Sequence, residues 1–245
     1  MTEYSLPPAE TSLLKDRDWL AQAINPHVAI IGGLAALILV LQSYWAQASL
    51  ISNWLKPWVP AAHLEMSSSL LWCASICFLY LCLPVLCIRF VLKQSLSDYG
   101  LSLAGLRHHW RPYLVFFLIM LGPLLYAAST PAFQQAYPFF KYVKQSWWQF
   151  AIWEIAYGIQ FVSVEFFFRG FLLFGLYRYW GINSLFVVMI PYCMIHFPKP
   201  MGESIGAILA GLALGYLALK NRSVWGGAAL HWSVALTMDL ATIII

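Results

Sequence analysis

Five ionisable side chains in the second half of the chain are of types that can activate water or hold a developing charge: Glu165, Arg169, His196, His231 and Asp239. Glu165 and Arg169 are four positions apart, so on a helix they share a face and can pair. Other routes to hydrolysis find no matching pattern. No His-Glu-x-x-His run is present to hold zinc. Cys193 is one turn before His196 on the same stretch, and two groups on adjacent turns of a straight helix do not converge on one substrate. Of the aspartates only Asp239 lies in an apolar stretch, so a paired-aspartate site is absent. What remains is a carboxylate and histidines around a water.

The elements that must position these groups are membrane helices. Of the 245 residues 61% are hydrophobic and 10% charged, which no water-soluble fold of this size can bury. Apolar stretches run over about 26–47, 69–88, 112–128, 148–176, 182–197, 205–219 and 224–245. The chain is therefore expected to be an all-α polytopic membrane protein with about seven transmembrane helices. Residues 1–25 read as a polar cytoplasmic arm without signal-peptide features, and 26–245 as a single helical membrane domain. One set of alternate loops collects most of the Lys and Arg, including Arg89, Lys93, Arg111, Arg178 and Arg222, while the other has Lys56, Lys141, Lys144 and Lys199. The positive-inside rule then puts the N-terminus in the cytoplasm and the C-terminus outside. The five cysteines all lie in apolar stretches and read as packing residues, and nothing in the composition supports nucleic-acid binding.

A charge at mid-bilayer costs a few kcal/mol, so ionisable residues confined to the later spans mark a functional site. Counting about 1.5 Å per residue from Arg178, Ile182 and Arg222 puts Glu165 and His196 about 20 Å deep, and Arg169 and His231 about 13 Å deep. Three spans can thus bring these side chains to one pocket. Asp239, two turns beyond His231, either lines the same cavity or caps its far end. Glu154, beside Trp153, reads as an interfacial carboxylate. Two rows of small residues, Gly202, Gly206, Ala210 and Ala207, Gly211, Gly215, let a neighbouring helix approach closely.

The stretch Val164-Glu165-Phe166-Phe167-Phe168-Arg169-Gly170, then Tyr192-x-x-x-His196, then His231 beyond Arg222 and Ser223, resembles the CPBP family of CAAX proteases and bacteriocin-processing enzymes, also called Abi or Rce1-like. The family's motifs run Glu-Glu-x-x-x-Arg, Phe-x-x-x-His and His-x-x-x-Asn, and the resemblance covers about 99–239. It implies a glutamate-dependent intramembrane endopeptidase without a cofactor, acting on a membrane-associated protein or peptide such as a CAAX-type or C-terminal sorting tail. It also implies that Glu165 and His196 activate water while His231 stabilises the oxyanion; Arg169, paired to the glutamate by its spacing, completes the candidate site, with Tyr192 and Asp239 as accessory candidates by position. A metal, were one used, would fall to Glu165, His196 and His231. A bacterial cytoplasmic membrane is the expected location.

Three positions depart from the family pattern: Val164 stands for the first Glu, Ala235 for the Asn and Tyr192 for the Phe. Adjacent helical residues point about 100° apart, so Glu165 reaches the place of the first Glu only on a rotated or distorted span. Two readings follow. Either the chain is a peptidase with Glu165 as its base, or it is an inactive relative that binds peptides as an immunity, chaperone or scaffold protein.

Overall fold

In the computed structural model the described residues are 24–103, 110–141 and 146–244. The polar arm of the sequence reading lies almost wholly outside them. Among the described residues every regular element is helical. The principal helices are α1 (Pro26–Tyr44), α2 (Ala48–Leu55), α3 (Ala61–Val91), α4 (Trp110–Ala128), α5 (Pro131–Ala136), α6 (Trp147–Glu165), α7 (Gly175–Trp180), α8 (Ser184–Met194), α9 (Met201–Asn221) and α10 (Trp225–Ile244). Start signals are explicit in the sequence. Asn25 caps α1 by accepting from the backbone N–H groups of His27 and Val28, with Pro26 at the first position. Ser146 caps α6 through Gln149 N–H.

Between α6 and α7 the chain stays helical but widens into a π-helical stretch, Phe166–Phe174, so 147–180 forms one continuous rod about 50 Å long. It exceeds a ~30 Å hydrocarbon core, as its sequence length requires. The rod turns back at Gly181, whose φ of +54 no ordinary side chain favours. The returning helix α8 has 11 residues, about 16 Å, too short to cross by itself. Among the described residues six helical stretches are long and apolar enough to span, and the stretch Trp147–Met194 holds the rod and α8 together. The seven passes expected from the sequence are thus six of membrane length, counting the rod as one, plus the short inbound arm α8.

The rod is the core. Its apolar window is 83% buried, against 17% for α1 and for α4. Phe166, Phe167, Phe168 and Phe171 are fully enclosed, and Phe167 stacks on Tyr80 of α3 at 4.5 Å between ring centroids. Of the two small-residue rows on α9, one is the packing row: a Cβ at Gly215 would meet Leu185 at 2.5 Å and one at Gly211 would meet Tyr192 at 3.2 Å. Gly202 and Gly206 face open space. The bare row is what lets α8 and α9 close against each other and brings Tyr192 and His196 to the rod.

Candidate active site

Glu165 is the last residue of α6, directly before the π stretch, and it is completely buried. Its Oε1 lies 3.1 Å from Arg169 Nη1 and 3.1 Å from His231 Nδ1. The first contact is local, one turn along the rod. The wider π turn moves successive residues by less than 100°, so a four-residue step still returns to the same face. The second contact bridges α6 and α10, 66 residues apart in the chain. Oε2 has no hydrogen-bond partner among the described residues. It rests against the backbone of Gly227, where a Cβ would come within 2.6 Å of it.

Arg169, 1% exposed, is held on its other side by aromatic density: its guanidinium carbon is 3.9 Å from the centroid of the Tyr192 ring. A cation over a desolvated ring is attracted by the ring's quadrupole, which makes Tyr192 a second counterweight to the buried charge beside Glu165. Tyr192 also neighbours both imidazoles, at 4.9 Å from His196 and 6.3 Å from His231 by ring centroids. His196 Nδ1 meets the Tyr192 carbonyl oxygen at 2.8 Å, which orients the ring, while Phe161 covers one side of His231 at 4.3 Å. The turn after His196 is pinned as well. Ser204 Oγ donates to the His196 carbonyl, and Tyr137 donates to Glu203, which also pairs with Lys199. Burial first, then the neighbouring Tyr157 and Glu203, holds the Tyr137 phenol well above its ordinary pKa.

The structure therefore gathers Glu165, Arg169, Tyr192 and His231 into one contiguous group and sets His196 at its edge, across Tyr192. Among the described residues no three His, Cys, Asp or Glu side chains converge as a metal-binding group. Asp239 is elsewhere: Trp153 donates its indole N–H to Asp239 Oδ2 at 3.0 Å, on the α6 face nearer the rod's start. Glu154 is there too, 5% exposed and bonded by Trp232 Nε1 at 3.2 Å, so it is a core residue rather than the interfacial carboxylate that its Trp neighbour suggested. Its spacing of eleven from Glu165, which returns to nearly the same helical face, was the available signal. Of the departures, Val164 is buried in the aromatic core around the rod, and Ala235 packs with Trp153, Tyr157 and Phe161.

Fold and site define a polytopic all-α membrane protein with a buried Glu–Arg–His group between its helices. Residues 146–237 match the family model described as type II CAAX prenyl endopeptidase Rce1-like, which is the family the motifs resembled. The matched segment contains Glu165, Arg169, Tyr192, His196 and His231, and it ends before Asp239. No curated protein and no solved structure matches the chain.

Proposed function

We propose that the protein is an intramembrane endopeptidase in which Glu165 takes a proton from water and cleaves a membrane-associated protein or peptide. The observation that carries this reading is the shared contact of Glu165 Oε1 with Arg169 and His231 inside a membrane helix bundle. Two leucines would cost less there, and a buried ion pair is weak support for stability alone. Arg169 pairs with the carboxylate, His231 fixes its direction, and Oε2, without a partner among the described residues, is the atom that meets the water. His196, at the edge of the group, orients the water or the peptide carbonyl. The substrate class follows the matched family: a C-terminal or membrane-proximal tail with apolar side chains. The multi-pass protein then sits with its N-terminus on the cytoplasmic side.

The test is cleavage of a fluorogenic hydrophobic peptide by the purified protein in liposomes, with and without Glu165→Gln. Cleavage that vanishes in the variant is expected. Equal cleavage by both proteins would overturn the proposal. A second reading, an inactive relative that only binds peptides, is favoured by Val164 and Ala235 at two motif positions. It predicts peptide binding with no turnover in either protein.

A further inference from the structure

The second and third residues of helix α10, Gly226 and Gly227, are bare, each for a different partner. A Cβ at Gly226 would overlap the ring of Tyr113 from α4 and come within 2.9 Å of its hydroxyl. One at Gly227 would come within 2.6 Å of Glu165 Oε2. Adjacent positions on a helix point about 100° apart, so phenol and carboxylate abut neighbouring faces of the same turn of α10. Tyr113 also lies within electrostatic reach of Glu165. Its ring is 7% exposed, and Asn221 at the end of α9, 5% exposed, donates from Nδ2 to the phenol oxygen at 3.1 Å. That bond uses an oxygen lone pair and leaves the phenol's own proton without an acceptor among the described residues.

A polar Tyr–Asn bridge between α4 and α9 is a costly device where two apolar side chains would pack the same helices. The two positions that the family pattern uses at the oxyanion, His231 and Ala235, are spent or bare here. His231 spends Nδ1 on Glu165, and Ala235 has nothing to donate. We propose that Tyr113 is the hydrogen-bond donor to the carbonyl oxygen of the peptide attacked beside Glu165. The proposal rests on the hydrolytic reading above. Water adds to the carbonyl carbon while Glu165 takes one of its protons. The carbonyl π electrons move to oxygen, which the Tyr113 O–H holds by a hydrogen bond without giving up its proton. When the C–N bond breaks, the proton on Glu165 passes to the leaving nitrogen, and the products are an acid and an amine.

Tyr113→Phe removes only the hydroxyl. Its kcat is expected to fall about a hundredfold to a thousandfold, the effect of losing one such donor, with KM little changed. Binding supplies a second readout that a packing role would not move. Affinity for a peptidyl phosphonate, whose tetrahedral oxygens mimic the oxyanion, should drop about a hundredfold while affinity for the uncleaved parent peptide holds. If Tyr113→Phe fails to accumulate, Asn221→Leu leaves the phenol in place but unanchored, and kcat should fall about tenfold. Unchanged kcat and phosphonate affinity in the accumulating variant overturn the donor. If the wild type shows no cleavage that depends on Glu165, the hydrolytic reading itself fails and the donor falls with it. Cleavage abolished in Glu165→Gln but intact in Tyr113→Phe sinks the donor alone.

Discussion

His231 Nδ1 and Glu165 Oε1 meet at 3.1 Å, and through them the beginning of α10 is fastened to the middle of the rod. The same carboxylate oxygen faces Arg169, so one atom carries both contacts and the other is left bare.

Substituting either member of this bond should remove chemistry before it removes the protein. In membranes, Glu165→Gln and His231→Ala are expected to accumulate near wild-type levels, with cleavage reduced by about two to four orders of magnitude. His196→Ala should also impair cleavage. Quantitative blotting alongside substrate processing separates abundance from activity. Full processing by Glu165→Gln would remove Glu165 from the mechanism.

Arg169→Ala should behave differently, because it strands a fully buried carboxylate. A loss of about 3–5 kcal/mol is expected, read as a lower melting temperature in detergent. Adding Glu165→Gln to Arg169→Ala should restore part of that stability, since no charge is then left uncompensated. A double variant no more stable than Arg169→Ala would show that the guanidinium acts mainly through Tyr192.

Introducing Val164→Glu tests which motif position works. Val164 is embedded among the buried aromatics of the rod, so a carboxyl there is expected to lower stability and leave cleavage level or reduced. If Val164→Glu combined with Ala235→Asn creates cleavage that the wild type lacks, the binding-protein reading replaces the enzyme.

Asp239→Asn retains an oxygen for the Trp153 indole, and its effect on cleavage is expected to stay within about threefold, as for substitutions away from the reacting groups. A loss comparable to that of His231→Ala would bring Asp239 back into the site by a route other than direct contact.

For orientation, a reporter fused after Ile245 should report the outside and one near Gln94 the cytoplasm, following the loop charges. The opposite pattern would invert the protein without changing the relative positions of Glu165, Arg169 and His231.

What was legible in the sequence is what periodicity and cost can carry. The spans follow from apolar length and the Glu165–Arg169 pair from a spacing of four, while depth counting brings three helices to one pocket but sets His196, not His231, level with Glu165, the reverse of the contact that forms. The π stretch after Glu165 is invisible because its residues are apolar in either helix type, yet it sets the rod's phase around Arg169. Tyr192 reads as a mild replacement for Phe; only the structure places its aromatic face under the Arg169 guanidinium. Asp239 was ambiguous because helical depth alone does not reveal which way a side chain two turns on will find a donor, and Trp153 supplies one. Gly226 and Gly227 carry no signal in the sequence, and only their neighbours, Tyr113 and Glu165, show what a side chain there would meet.

The burial of the rod also bears on how the protein is made. A helix whose apolar window is 83% enclosed by its neighbours, while α1 and α4 are 17% enclosed, is the one least suited to meeting lipid alone as it leaves the translocon. It emerges after α1, α3 and α4 but before α8, α9 and α10, and so before His231 exists to contact Glu165. During that interval its charge is balanced from within, because Arg169 follows Glu165 on the same helix. The intrahelical pair serves as a chaperone carried in cis, letting the span that carries a buried Glu and Arg enter the bilayer early and wait for its partners to arrive.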